Sequence, residues 1–188
     1  GYDLMALLIG SEGMLAVVTE VSLRLIPRPN LAKVILASFD DIQKASEAVA
    51  GIIASGITPA GLEMMDQPMV AVVEDFVNAG YDLDAKAILL CESDGTTEEV
   101  EEEILKLKKI LTNYGATELR VSENEKERAI FWSGRKNAFP ASGRISPDYY
   151  CIDGTIPRRR LGDMLLFISE LEKKYKLRCL NVFHAGDG

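Results

Sequence analysis

From residue 31 onward, short β-rich apolar runs alternate with segments whose apolar residues recur at helical spacing, and that alternation leaves few folds open. Residues 31–39 form the first β-like run. Asp40, with Gln43 three residues on, is placed to cap a helix that carries Ile42, Ala45, Val49 and Ile52/Ile53 on one side until Gly56 ends it. Residues 59–65 read as a strand, and Asp66 followed by Pro68 reads as the cap and first turn of a helix that stops at Gly80. Residues 85–91 are the clearest strand. Thr96-x-x-Glu99 is a capping box, and the helix beyond it lines up Val100, Ile104, Leu107 and Leu111, its acidic residues preceding Lys106, Lys108 and Lys109 as the helix dipole favours. Then come a strand at 118–122, a second capping box in Ser122-x-x-Glu125, and a helix reaching 132–137. A strand at 149–156, a helix at 159–175 and a last strand at 179–183 complete the pattern.

Strands alternating with singly striped helices imply an α+β fold, and the doubled β-α-β units imply a ferredoxin-like sheet with helices packed on one face. Residues 1–30 read differently. An apolar run at 4–9, a polar turn at Gly10-Ser11-Glu12-Gly13 and a β-rich stretch at 15–25 end in Ile26-Pro27-Arg28-Pro29-Asn30. Two prolines so close remove backbone donors and favour extended geometry, so a boundary is expected here, dividing the chain into 1–30 and 31–188.

Composition narrows the function. With 21 basic and 29 acidic side chains the formal charge is −8, and there is no broad basic field to neutralise phosphates, which argues against a nucleic-acid partner. The longest apolar runs fall far short of the roughly 18–20 residues that span a bilayer, so no transmembrane segment is expected. Three cysteines, Cys91, Cys151 and Cys179, lack CxxC spacing and fit a reducing cytoplasm better than a disulfide framework. The one histidine, His184, forbids any site that needs two histidines from this chain alone.

Four segments carry candidate chemistry. Gly10-Ser11-Glu12-Gly13 is either an ordinary turn or a place where glycines let the backbone approach a ligand and present N–H groups to phosphate. In Phe131-Trp132-Ser133-Gly134-Arg135-Lys136, Arg135 is either a solvated helix residue or a bidentate carboxylate clamp. Asp148-Tyr149-Tyr150-Cys151-Ile152-Asp153-Gly154 offers two phenols, which serve either as packing groups or as pocket lining. His184-Ala185-Gly186-Asp187-Gly188 sets an imidazole at the end of a strand, where it is either structural or displayed at a sheet edge.

The first segment in its context, Ile9-Gly10-Ser11-Glu12-Gly13-Met14-Leu15-Ala16-Val17-Val18-Thr19-Glu20, closely resembles the end of the FAD-binding domain in the vanillyl-alcohol oxidase type of FAD-linked oxidases. Met14 and Ala16 stand where Thr and Gly are usual. With Trp132-x-x-Arg135-Lys136, the stretch from Asp153 to Pro157 and the terminal His184-Ala185-Gly186-Asp187-Gly188, the whole chain resembles the D-2-hydroxyacid dehydrogenase branch of that family, which includes the glycolate oxidase D subunits. The resemblance implies FAD as cofactor and a small 2-hydroxy acid, glycolate or D-lactate, as substrate. It implies catalytic roles for His184, Arg135 and Tyr150, and flavin contacts from Gly10, Ser11, Glu12, Gly13, Val17 and Val18. It also implies a divalent metal in the complete protein, held in part by His184, although the usual continuation of the terminal motif with a second histidine is not in this sequence. Cys151 stands where relatives acting on larger diacids often have Lys, which fits a smaller substrate.

On this resemblance residues 1–30 are the β tail of the FAD-binding domain with its linker, and residues 31–188 a truncated substrate-side domain. The implied partners are the rest of the FAD domain and other oxidase subunits that carry electrons. The implied location is cytoplasmic, peripheral to the inner membrane in a complex, and the isolated piece is expected to be inactive. The competing reading is a non-enzymatic ligand-binding or assembly module, because ferredoxin-like sheets host many functions.

Overall fold

A computed structural model describes all of residues 1–188. Five strands, β1 (Leu31–Phe39), β2 (Gly61–Asp66), β3 (Ala87–Gly95), β4 (Glu118–Val121) and β5 (Val182–Phe183), form one sheet in the order β4-β1-β3-β2-β5. Every neighbouring pair is antiparallel. The helices are α1 (Leu4–Leu8), α2 (Ile42–Ala54), α3 (Gln67–Val77), α4 (Thr97–Asn113), α5 (Glu125–Lys136), α6 (Ala138–Ser142) and α7 (Leu161–Tyr175), the last entered through a 3₁₀ turn at Arg158–Arg160. The order β1-α2-β2, then β3-α4-β4, with β1 and β3 central, is the expected ferredoxin-like arrangement, to which β5 adds an edge strand.

The expectation that helices cover one face is corrected: both faces are covered. Ile35, Ala37 and Phe39 of β1 and Leu89 and Cys91 of β3 pack with Ala45, Val49 and Ile52 of α2 and Leu107 and Leu111 of α4. The alternate residues, Val34, Leu36, Ile88 and Leu90, pack on the other side with Met69, Val70 and Val73 of α3 and Phe131 of α5. Successive strand residues point to opposite faces, so a strand such as Val34–Phe39, buried at every position, has to be covered twice.

Local signals place several element ends. Thr96 caps α4 in the expected capping box, and the Asp66 carboxylate accepts the Met69 N–H at the start of α3. Two caps move. Asp41, not Asp40, accepts the Gln43 N–H before α2. Asn124, not Ser122, caps α5, because Ser122 is buried and its hydroxyl accepts the Val34 N–H at 3.0 Å instead.

Two expected strands do not form. Residues 15–25 are exposed and pair with no strand, and the 149–156 segment is likewise outside the sheet, with Tyr150 and Ile152 largely exposed. Both have β-rich composition, but a strand exists only where another strand accepts and donates its backbone hydrogen bonds, and neither segment is paired in the sheet. The second segment is held at its start by Tyr149 stacking on Phe139, with ring centroids 6.5 Å apart, and at its end by the Ile156 N–H, which donates to the Gly188 carbonyl at 2.9 Å.

Candidate active site

The edge of the sheet that carries β5 brings together three charged or titratable side chains from distant parts of the chain. The register that pairs Met64 with Phe183 and Met65 with Val182 sets His184 beside Glu63. The α5 helix crosses the same face, and its last turn delivers Arg135. One oxygen of the Glu63 carboxylate lies 2.5 Å from Nδ1 of His184, and the other accepts from Nε of Arg135 at 2.7 Å. Nη2 of Arg135 is 3.4 Å from Nε2 of His184.

Glu63 is buried between Leu62 and Met64 of β2, so a partner on each oxygen is what makes its charge tolerable there. A carboxylate only accepts, so Nδ1 of His184 is the donor, and in the neutral ring Nε2 carries the lone pair. The imidazole is 70% exposed while the Glu63 side chain is 8% exposed, so Nε2 is open to a ligand and the group that orients it is not. Arg135 is held through Nε, which leaves its two terminal nitrogens with no carboxylate of this chain. The cluster can therefore bind an anion at the guanidinium and accept a proton at the adjacent imidazole.

A second ionic group fixes α5 over the sheet. Glu92, on β3, accepts from Nη1 of Arg128 at 2.7 Å and from the Trp132 indole N–H at 2.5 Å, while Arg128 also grips Glu125 through two 2.7 Å bonds. Gly61 gives the Trp132 ring its seat, since a Cβ there would lie 3.0 Å from it. Arg128, Trp132 and Arg135 thus share the side of α5 that faces β2 and β3.

Of the residues singled out from sequence, the structure unites Arg135 and His184. It does not bring Tyr150 to them: that side chain is 89% exposed and makes no hydrogen bond to either. Gly10, Ser11, Glu12 and Gly13 form an exposed turn after α1, with positive φ at Gly10, Glu12 and Gly13. Nothing lies within 4 Å of where a Cβ would sit at Gly10 or Gly13, so the turn's backbone is open to a ligand, as a nucleotide contact through N–H groups requires. Val17 and Val18 follow it, both exposed. For the implied metal the sequence offers His184 alone. No three His, Cys, Asp or Glu side chains converge anywhere, and the open nitrogen of His184 faces a guanidinium.

Sequence reasoning missed Glu63 and Glu92. The signal for Glu63 was available, since a single acid inside the apolar run Leu62-Glu63-Met64-Met65 is unusual for a buried strand. A surface hollow between the end of α2 and α4 is lined by Glu99, Glu102, Glu103 and Lys106 and shares no residue with the cluster.

This fold, with a carboxylate-bridged arginine and histidine at one sheet edge, goes with a defined protein class. The chain belongs to the FAD-linked oxidase C-terminal domain family, whose pattern matches residues 28–188. It is 58% identical to the glycolate oxidase subunit GlcD of Escherichia coli K12 over the whole of this chain, and spans 38% of that protein. It is 38% identical to glycolate oxidase subunit GlcD of Bacillus subtilis, spanning 40% of it, and 28% identical to a probable mitochondrial D-lactate dehydrogenase of Danio rerio, again spanning 38%. A solved structure of alkyldihydroxyacetonephosphate synthase superimposes with a TM-score of 0.69 over 98% of this chain and 39% of that one, at 16% identity, a likeness of fold. No helix is long and apolar enough to cross a membrane.

Proposed function

We propose that this chain is the substrate-side part of a flavin-dependent oxidoreductase that oxidises a small 2-hydroxy acid, glycolate or D-lactate, to the 2-oxo acid. Family membership and the similarity to glycolate oxidase subunits support the reaction class. The observation that carries it to residues is the single buried carboxylate, Glu63, holding Arg135 and His184 side by side.

In this reading Arg135 binds the substrate carboxylate with the guanidinium nitrogens that Glu63 leaves free. That contact brings the C2 hydroxyl to the imidazole. Nε2 of His184 accepts the hydroxyl proton, and Glu63, bonded to Nδ1, keeps the ring in the tautomer that can accept it and stabilises the resulting imidazolium. FAD, when bound, supplies the acceptor for the hydride that leaves C2. Residues 1–30 are the end of the FAD-binding domain and its linker, residues 31–188 belong to the substrate-side domain, and the turn at Gly10, Ser11, Glu12 and Gly13, with Val17 and Val18 beyond it, lies against the flavin nucleotide. Other oxidase subunits take the electrons onward, a reading supported by the word subunit in the names of the relatives, and the protein works in the cytoplasm, at the periphery of the inner membrane.

Steady-state kinetics of the full-length protein with glycolate and D-lactate test the assignment. His184→Gln is expected to lower kcat by about 10²–10⁴-fold, the usual contribution of a positioned base. Arg135→Lys is expected to act mainly on KM. An unchanged kcat in the first variant removes His184 from the chemistry.

A further inference from the structure

The hydroxyl of Tyr81 is set against the side of α5 at its last turn. It donates to the Phe131 carbonyl at 2.6 Å and accepts the Gly134 N–H at 3.0 Å. Tyr81 is buried and reaches α5 from the loop between α3 and β3. That loop is fixed from two directions. The Glu74 carboxylate accepts the N–H groups of Ala79, Gly80 and Tyr81 at 3.0, 2.9 and 3.1 Å, and the Gly80 carbonyl accepts from Arg120 of β4 at 2.7 Å. Gly134 supplies the room, because a Cβ at that position would overlap the Tyr81 ring. The next residue is Arg135.

We propose that Tyr81 is a positioning residue for substrate binding, its hydroxyl fixing the turn of α5 from which Arg135 reaches Glu63 and the substrate carboxylate. The proposal rests on the reading of Arg135 as the carboxylate-binding group. Glu63 orients the guanidinium from the sheet, and Tyr81 orients the backbone that carries it, so the head group and the stem of Arg135 are fixed by different elements. A ring that only filled space would need no hydroxyl. Here the hydroxyl is used twice, as donor and as acceptor, on backbone groups one and four residues before Arg135. Burial pushes the phenol up to about 12, so it keeps the donated proton throughout the neutral range.

The test compares Tyr81→Phe, Arg135→Lys and the double variant in the full-length flavoprotein, with glycolate and D-lactate as substrates and thermal unfolding as a control. Tyr81→Phe is expected to raise KM by about tenfold while kcat changes much less, and to have no further effect on KM once residue 135 is Lys. Equal increases in both backgrounds mean a general packing role and overturn the proposal. An unchanged KM in Tyr81→Phe, with KM raised in Arg135→Lys, overturns it while leaving the reading of Arg135 intact; an unchanged KM in Arg135→Lys overturns that reading itself. Glu74→Gln, which loosens the loop and leaves the phenol in place, covers the case in which Tyr81→Phe does not fold. It is expected to raise KM by a smaller factor, and an unchanged KM there counts against the proposal.

Discussion

The indole N–H of Trp132 donates to the Glu92 carboxylate at 2.5 Å, while the ring lies directly over Gly61 of the neighbouring strand. One side chain thereby ties α5 to both β3 and β2, three residues before Arg135. Arg135 is placed by a helix whose position over the sheet is set by packing and by charge together.

Removing Glu92 tests how much that tie contributes. Its side chain is 14% exposed, and Glu92→Ala leaves the Trp132 N–H unpaired and Arg128 with only Glu125. The expected cost is about 2–3 kcal/mol, read as a lower urea midpoint at unchanged slope. Trp132 is the sole tryptophan, so its emission is expected to move to longer wavelength in the variant. A native midpoint and spectrum would mean that packing over Gly61 alone holds the helix.

Asp66 gives a pH dependence with a definite sign. It caps α3 and also accepts from the backbone N–H and side-chain amide of Asn181, yet burial raises its carboxyl above the ordinary 3.8. The folded state then binds this proton more tightly than the unfolded state does, so stability falls as the pH rises from 3.8 through the raised folded value and is level above it. Asp66→Asn keeps a good helix cap and loses that slope. Denaturation from pH 4 to 7, a span of about three units that brackets the usual range of raised carboxyls, is expected to show the Asn variant gaining on the parent as pH rises. Parallel curves would rule out this role for Asp66.

Glu63→Gln separates orientation from charge. The amide retains the size of the carboxylate but offers only one acceptor to Arg135 and His184. In the full-length protein kcat/KM is expected to fall by about 10–100-fold, with losses in both kcat and KM because both partners are disturbed. A change in KM alone would assign Glu63 to Arg135 and leave His184 oriented by something else.

Much of this architecture was readable in the sequence, for reasons that can be named. The Leu31–Phe39 strand, the Thr96 capping box and the Asp66 start of α3 depend on neighbours within a few residues, and each is found as expected. The second helical layer was under-read, although the unbroken apolar run Val34-Ile35-Leu36-Ala37 already implied cover on both sides. Residues 15–25 and 149–156 carry strand composition without a strand beside them, a condition no local pattern reports. Arg135 and His184 were accessible through their motifs. Glu63 carried only the signal of a lone acid in an apolar run, because its pairing with His184 spans 121 residues of sequence.

That pairing has a kinetic consequence. The histidine side of the site hangs on β5, a two-residue strand bonded only to β2, whereas the arginine side is anchored in a helix packed on the central strands. Amides of short edge strands exchange with solvent through local openings that leave the rest of a domain folded. The His184 arm can therefore detach and re-dock while β1 and β3 stay intact, and its amides and those of β5 should exchange well before those of Phe131 and Gly134. On the proposed reading, substrate would meet a carboxylate anchor held on a packed helix and a proton acceptor held on a short edge strand.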